Sequence, residues 1–449
     1  MDTFALVVDR FLARLVDESP PLGTFAGHPA TDHHRLPDLS AAAVARREAA
    51  DDTDAAALDA IDDAALSPTE RIDRALLRAE LRGRAIGRDW AEWRRSPDDY
   101  LSAGLMGCFA LFLRRPLPEL ELVAAAADRL RGVPATVEAM VANLDPELAA
   151  ASLVHRGVGQ ARAGAAYARE LLPAEVADDD LRAELAAAGD VAATAYEEAA
   201  VHLEDLATRA TGGFALGEAR YSALLADKEL LPHDAAGLRA VGEAQVETLS
   251  AEMREVATRG FGTDDFRAVL RDLTRRRPTT PEEMREGYER CTAAARAFLV
   301  ERDLVTLPDG ERCEVLPSPV FQRPVLAVAS YFPPPAFGDA LDGIFNVPYP
   351  PEGTTPEQLA ERLTDNSFPS MPTTTVHEVY PGHHWHFARL QVAASPLRRI
   401  VTTSYFTEGW ALYAERMMRE QGFFTEPRDE LAHLDARLFR AARIVVDTG

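Results

Sequence analysis

The segment Thr373–Arg389, TTTVHEVYPGHHWHFAR, places His377, His383, His384 and His386 within ten residues, although the chain holds only 11 histidines in 449 residues. Glu378 follows His377 directly. In the zinc-hydrolase pattern HExxH, histidines at i and i+4 share one helical face and the glutamate works on a metal-activated water. Here position 381 is proline, so the pattern is broken. Helical residues advance about 100° and rise about 1.5 Å each. His383 would therefore lie about 240° round from His377, and His384 about 10.5 Å further along nearly the same face. Zinc–nitrogen bonds are about 2.0–2.1 Å, so neither pair meets one ion on a regular helix. Proline breaks the hydrogen-bond ladder and glycine relaxes the backbone. Pro381-Gly382 thus predicts a bulge or loop that carries a second histidine back beside His377.

Such a site needs a third ligand. Thr407–Glu415, TEGWALYAE, reads as a buried helix with Glu408 and Glu415 set into it. A carboxylate from a second helix completes a His-His-Glu set and leaves a position open for water, which points to Zn2+. The plainer reading of Glu408 is a capping carboxylate after Thr407 at a helix start. For Trp410 and Tyr413 it is core packing, and for Glu415 a surface ion pair.

His377-Glu378, Pro381-Gly382-His383-His384 and the run Glu408-Gly409-Trp410-Ala411-Leu412-Tyr413-Ala414-Glu415 together resemble a large bacterial family known only as a domain of unknown function. That family is grouped with the gluzincin metallopeptidases, and its hallmarks are HExxPGHH and EGWALYxE. Gly27–Ser40 and Gly343–Val347 are similar to it as well. The resemblance spans most of the chain and implies that the family continues past Asp447-Thr448-Gly449, so the chain looks shortened at its C-terminus. The aminopeptidase N pattern, similar to HExxHxW followed by EGFAxYxE, implies the ligand choice. Aligning Trp385 makes His377, His383 and Glu408 the expected zinc ligands. His384 is the alternative second ligand, or a donor to the transition state. Glu378 is the expected general base, taking a proton from the activated water and passing it to the leaving amine. Tyr413, Tyr405 and Tyr331 are candidate oxyanion donors, and Glu415 is expected to orient a ligand histidine. His386 is expected to be structural. The resemblance also implies that Gly343–Val347 is an edge strand able to pair with a peptide backbone.

These residues need a scaffold. Ala, Leu, Arg and Glu dominate residues 40–305, and all are strong helix formers. Helices are expected near 40–64, 68–90, 119–143, 147–171, 179–209, 234–259 and 281–302. Ser67-Pro68-Thr69-Glu70, Thr280-Pro281-Glu282-Glu283 and Thr355-Pro356-Glu357-Gln358 each carry a cap, a proline at the first turn and an acid or amide three residues on. Met1–Val16 is broken by Asp2, Asp9, Arg10 and Arg14, which does not suit a signal peptide and predicts an amphipathic helix. After Arg302 the texture changes: CEVLPSPVF, VLAVASYFPPP and GIFNVPYP predict short strands between proline turns. No fixed-length repeat is visible, and no run of about 18 apolar residues predicts a membrane span.

The expected architecture is mainly α, a large helical zincin-like fold with a small sheet beside the catalytic helix. Residues 1–302 would form a helical body over a cleft, and residues 303–449 the sheet and zinc-binding helices. Lys plus Arg number 48 against 72 Asp plus Glu, a net charge of −24, which disfavours nucleic acids and anionic membranes as partners. Cys108, Cys291 and Cys313 are three widely spaced cysteines that fit no disulfide framework, which points to the cytoplasm. The expected activity is zinc-dependent hydrolysis of short peptides. The alternatives are hydrolysis of a non-peptide amide or ester, and an inactive helical protein that only binds.

Overall fold

A computed structural model of the chain describes residues 3–323 and 328–449. It is mainly α-helical with one small sheet, and it divides into two compact units. The first comprises Met1–Lys228 with Pro335–Gly338. The second comprises Glu229–Pro334 with Asp339–Gly449. The change of texture at Arg302 falls inside the second unit.

In the first unit, the start signals set the helices. Ser67 and Glu70 close a reciprocal capping box ahead of the helix Pro68–Trp90, and the Asp178 side chain caps Asp179–Arg209. Each cap satisfies backbone donors that a helix start leaves orphaned, at about 1 kcal/mol. Helices Phe4–Glu18 and Glu119–Asn143 also follow the sequence expectation, and the stretch near 147–171 is α-helical over Ala151–Ala166 and ends in a π-turn. Helix Asp98–Arg114 has no counterpart among the expected ones. Its sequence, DDYLSAGLMGCFALFLR, is apolar almost all round, so it lacks the one-sided stripe that announces a surface helix. It is buried accordingly, with Leu101, Cys108 and Leu111 fully covered. A Cβ at Gly104 would stand 2.6 Å from Val133 and 2.7 Å from the Tyr196 hydroxyl, so glycine is what lets the helices approach.

The second unit holds the histidine segment. Its sheet has the order β1 (Arg312–Pro317), β3 (Asp342–Val347), β2 (Ser330–Phe332). β1 runs parallel to β3, and β2 antiparallel to it with Tyr331 opposite Phe345. This corrects the edge-strand expectation for Gly343–Val347. β3 is central: β1 pairs with it along Asp342–Val347 and β2 over Ile344–Asn346, so neither side is a free edge. Residues 325–327 of the expected strand VLAVASYF lie outside the described residues. Phe345 and Val347 are fully buried against Tyr288, Val376, Val379 and Met418, and the Tyr288 and Phe345 rings meet edge-on at 5.1 Å. A separate cluster joins helix Ala235–Phe261 to Pro427–Asp447 through Leu249, Met253, Val256, Leu431 and Leu434. Among the described residues, no helix is long and apolar enough to cross a membrane.

Candidate metal centre

The interruption at Pro381-Gly382 is a full break. One helix, Met371–Glu378, stops, and a second, His383–Ala393, starts after a four-residue turn. The turn folds back hard: a Cβ at Gly382 would stand 1.8 Å from the His377 carbonyl oxygen and 2.3 Å from that of Val376. Only a residue without a side chain can take that place. The His386 amide donates to the Gly382 carbonyl at 3.0 Å and starts the new helix. Trp410 ties the turn to the helix Ser404–Glu420, its indole N–H donating to the Pro381 carbonyl at 2.9 Å and its ring stacking on Trp385 at 5.0 Å.

The fold-back brings His383, not His384, beside His377. Their rings stand at 83° with centroids 4.8 Å apart. Glu408 reaches both from the neighbouring helix: its carboxylate oxygens lie 3.1 Å from His377 Nε2 and 3.5 Å from His383 Nε2. The three ligand atoms fall within 4.8 Å of one another. Two donors bound at about 2.0–2.1 Å to one tetrahedral ion would be roughly 3.3 Å apart. Both measured contacts match that spacing, so the residues present fit a divalent metal ion, and their nitrogen-and-carboxylate chemistry suits zinc.

Buried charge surrounds this cluster. His377 Nδ1 donates to Glu415 Oε1 at 2.8 Å, which fixes the ring with Nε2 facing Glu408. Burial favours neutral His377, but the hydrogen bonds it donates to Glu408 and Glu415 outweigh it and raise its pKa to about 9. The same hydrogen bonds, from His377 and His383, hold Glu408 well below the usual carboxylate range. Burial pushes Glu415 up, yet His377, His433 and Arg440 bring it down to about 2. Burial raises Glu378, offset in part by the charges of His377 and His383. Glu378 lines a cavity of about 270 Å³ with His377, Tyr288, Ser370, Thr373 and Arg440. A carboxyl raised by burial beside two imidazoles and a cavity is suited to proton transfer.

The remaining expected residues lie elsewhere. His384 is fully buried, with Nε2 2.8 Å from Glu311 Oε2 and Nδ1 3.1 Å from the Tyr331 hydroxyl, so neither ring nitrogen faces the cluster. Tyr413 is 54% exposed and lines an apolar surface cavity with Tyr405, Phe406 and Trp410. His386 is buried among the rings of Phe387, Phe406 and Trp410, and burial lowers its pKa to about 4. Sequence reasoning missed Glu311, His433 and Arg440. Glu311 precedes β1 and is 73 positions from His384, and nothing in its local sequence marks it.

The family model described as "Bacterial protein of unknown function (DUF885)" matches residues 20–449. None of the curated proteins matches the chain significantly. Two solved structures are similar in fold. One is described as "a putative lipoprotein of unknown function" from Shewanella oneidensis, with 19% identity and a TM-score of 0.77, covering 99% of this chain and 83% of that one. The other is described as "the putative lipoprotein" from Colwellia psychrerythraea, with 19% identity and a TM-score of 0.76, covering 97% of this chain and 81% of that one.

Proposed function

The chain belongs to the bacterial DUF885 family, and from its site we propose that it is a zinc-dependent hydrolase of short peptides, akin to the gluzincin peptidases. One observation carries this reading: the convergence of His377, His383 and Glu408 within 4.8 Å, beside the cavity that Glu378 lines. His377, His383 and Glu408 would hold the ion. When bound, it would supply Lewis-acid activation of water and of a scissile carbonyl. Glu378 accepts the proton of the attacking water and delivers it to the leaving amine; its burial raises its affinity for protons, offset in part by His377 and His383. Glu415 keeps His377 in one orientation. His384, engaged with Glu311 and Tyr331, is given no ligand role, and the exposed Tyr413 no catalytic one.

The cavity volume of about 270 Å³ is near the lower end for small-molecule sites and favours small substrates. The same volume admits a non-peptide amide or ester as the second reading. Hydrolysis of dipeptides, tripeptides and N-acyl amino acids by the zinc-loaded protein separates the two. Glu378→Gln should keep one zinc per chain and lose roughly 10²–10⁴-fold in turnover. Turnover within a few-fold of wild type would remove Glu378 as the base. The three unpaired cysteines favour a reducing compartment such as the cytoplasm, and fractionation of the native host checks this.

A further inference from the structure

The two histidines of the cluster are oriented by different means. His377 has a carboxylate on Nδ1. His383 Nδ1 is buried and has no hydrogen-bond partner. What faces the His383 ring instead is Tyr331, stacked at 23° with centroids 6.4 Å apart, while His377 meets it edge-on. Tyr331 stands on the three-residue strand β2, and its ring also stacks on Phe387 at 27° with centroids 6.2 Å apart.

Tyr331 is pinned at its far end. Its hydroxyl lies 3.1 Å from His384 Nδ1, and His384 Nε2 lies 2.8 Å from Glu311 Oε2. Glu311 is itself fixed: the Tyr380 hydroxyl donates to Oε2 at 2.5 Å and Arg296 Nε donates to Oε1 at 3.1 Å. Both His384 and Glu311 are essentially inaccessible, with side-chain exposures of 0% and 1%. The carboxylate orients an N–H on Nε2, and a neutral His384 ring then offers Nδ1 to the Tyr331 O–H. β3 makes room for this contact: a Cβ at Gly343 would stand 2.5 Å from both His384 Nδ1 and the Tyr331 hydroxyl.

We propose that Glu311 is a positioning residue which, through His384 and the Tyr331 hydroxyl, holds the Tyr331 ring against His383 and so sets the orientation of that ligand. The inference rests on the zinc reading of the cluster. Without the tether, the His383 ring would keep only its Nε2 contact with Glu408 and its edge contact with His377, and the apo site would spend less time in the arrangement that binds metal. A group in direct contact with a ligand is worth about 10–100-fold in affinity; here that group is Tyr331, and Glu311 acts through it.

The test is the zinc dissociation constant, measured by competition with a chromogenic chelator, of the full chain and of Tyr331→Phe, Glu311→Gln and His377→Ala. Tyr331→Phe keeps the ring and removes only the tether, so it should fold as wild type by circular dichroism. The expected result is an affinity loss of roughly 10–100-fold for Tyr331→Phe and Glu311→Gln, with the Co2+-substituted absorption spectrum of Tyr331→Phe altered. If His377→Ala abolishes binding while Tyr331→Phe binds zinc like wild type, the tether is refuted and the metal centre stands. Binding that survives His377→Ala unchanged overturns both. Should Glu311→Gln fail to fold, Tyr331→Phe decides alone.

Discussion

Glu415 is completely buried yet ionised, because it faces three basic groups: His377 Nδ1 at 2.8 Å, Arg440 at 3.4 Å and His433 at 3.6 Å. A charge so placed in low dielectric is retained only when its partners are retained. Glu415→Gln keeps the shape and removes the charge that selects the Nδ1–H tautomer of His377. Zinc affinity should fall roughly 10–100-fold, and the apo protein should lose on the order of 1–2 kcal/mol, since the buried His377 loses a charged hydrogen-bond partner while the part-exposed Arg440 regains water. Calorimetric zinc titration and urea unfolding measure the two effects. Unchanged affinity would show that Glu415 only balances charge. At this scale the sequence was unevenly informative. His377, Glu378, Glu408 and Glu415 sit in two short motifs whose spacing carries their chemistry. Glu311 acts on the same site from a loop, and loops leave no periodic mark. The choice between His383 and His384 hinged on backbone direction after the break, which residue types do not encode; alignment to a related pattern pointed to His383, and the fold-back at Gly382 puts His383 beside His377.

At the level of elements, local signals fixed helix ends well. The helices Pro68–Trp90, Asp179–Arg209 and Pro281–Arg302 coincide with the expected spans because side-chain caps, joined in two of them by a first-turn proline, act over three or four residues, while Glu119–Asn143 matches its span without a side-chain cap. Strand order was not legible. β1 and β3 pair across 30 positions with β2 between them in sequence, and pairing depends on packing rather than on local pattern. The site itself depends on one joint. The two half-helices of the histidine segment meet at Gly382, where any Cβ would overlap two carbonyl oxygens. Gly382→Ala must open that turn by more than an ångström, and His383 moves with it. The expected outcome is loss of stoichiometric zinc in whatever protein remains soluble, read by metal analysis of the folded fraction. Full zinc content in Gly382→Ala would mean that the turn has slack that the backbone contacts deny.

For the whole molecule, the charge of −24 and the two-unit organisation combine into one expectation. An acidic surface raises the local concentration of divalent cations, an effect that salt screens over a Debye length of about 8 Å at physiological ionic strength. Zinc capture should therefore slow as ionic strength rises, while the dissociation rate, set by short-range bonds to the buried His377 and His383 and the exposed Glu408, changes less. Binding also links to stability. At a free zinc concentration 100 times the dissociation constant, the folded site gains about 2.7 kcal/mol. All three ligands belong to the second unit, so that gain should be local to it. Hydrogen exchange with and without zinc reads this directly. Amides of Met371–Glu378, His383–Ala393 and Ser404–Glu420 should become more protected, and those of Glu119–Asn143 in the first unit should not. Equal protection of both units would mean that they open as one cooperative body, and the zinc-linked stability would then belong to the whole chain.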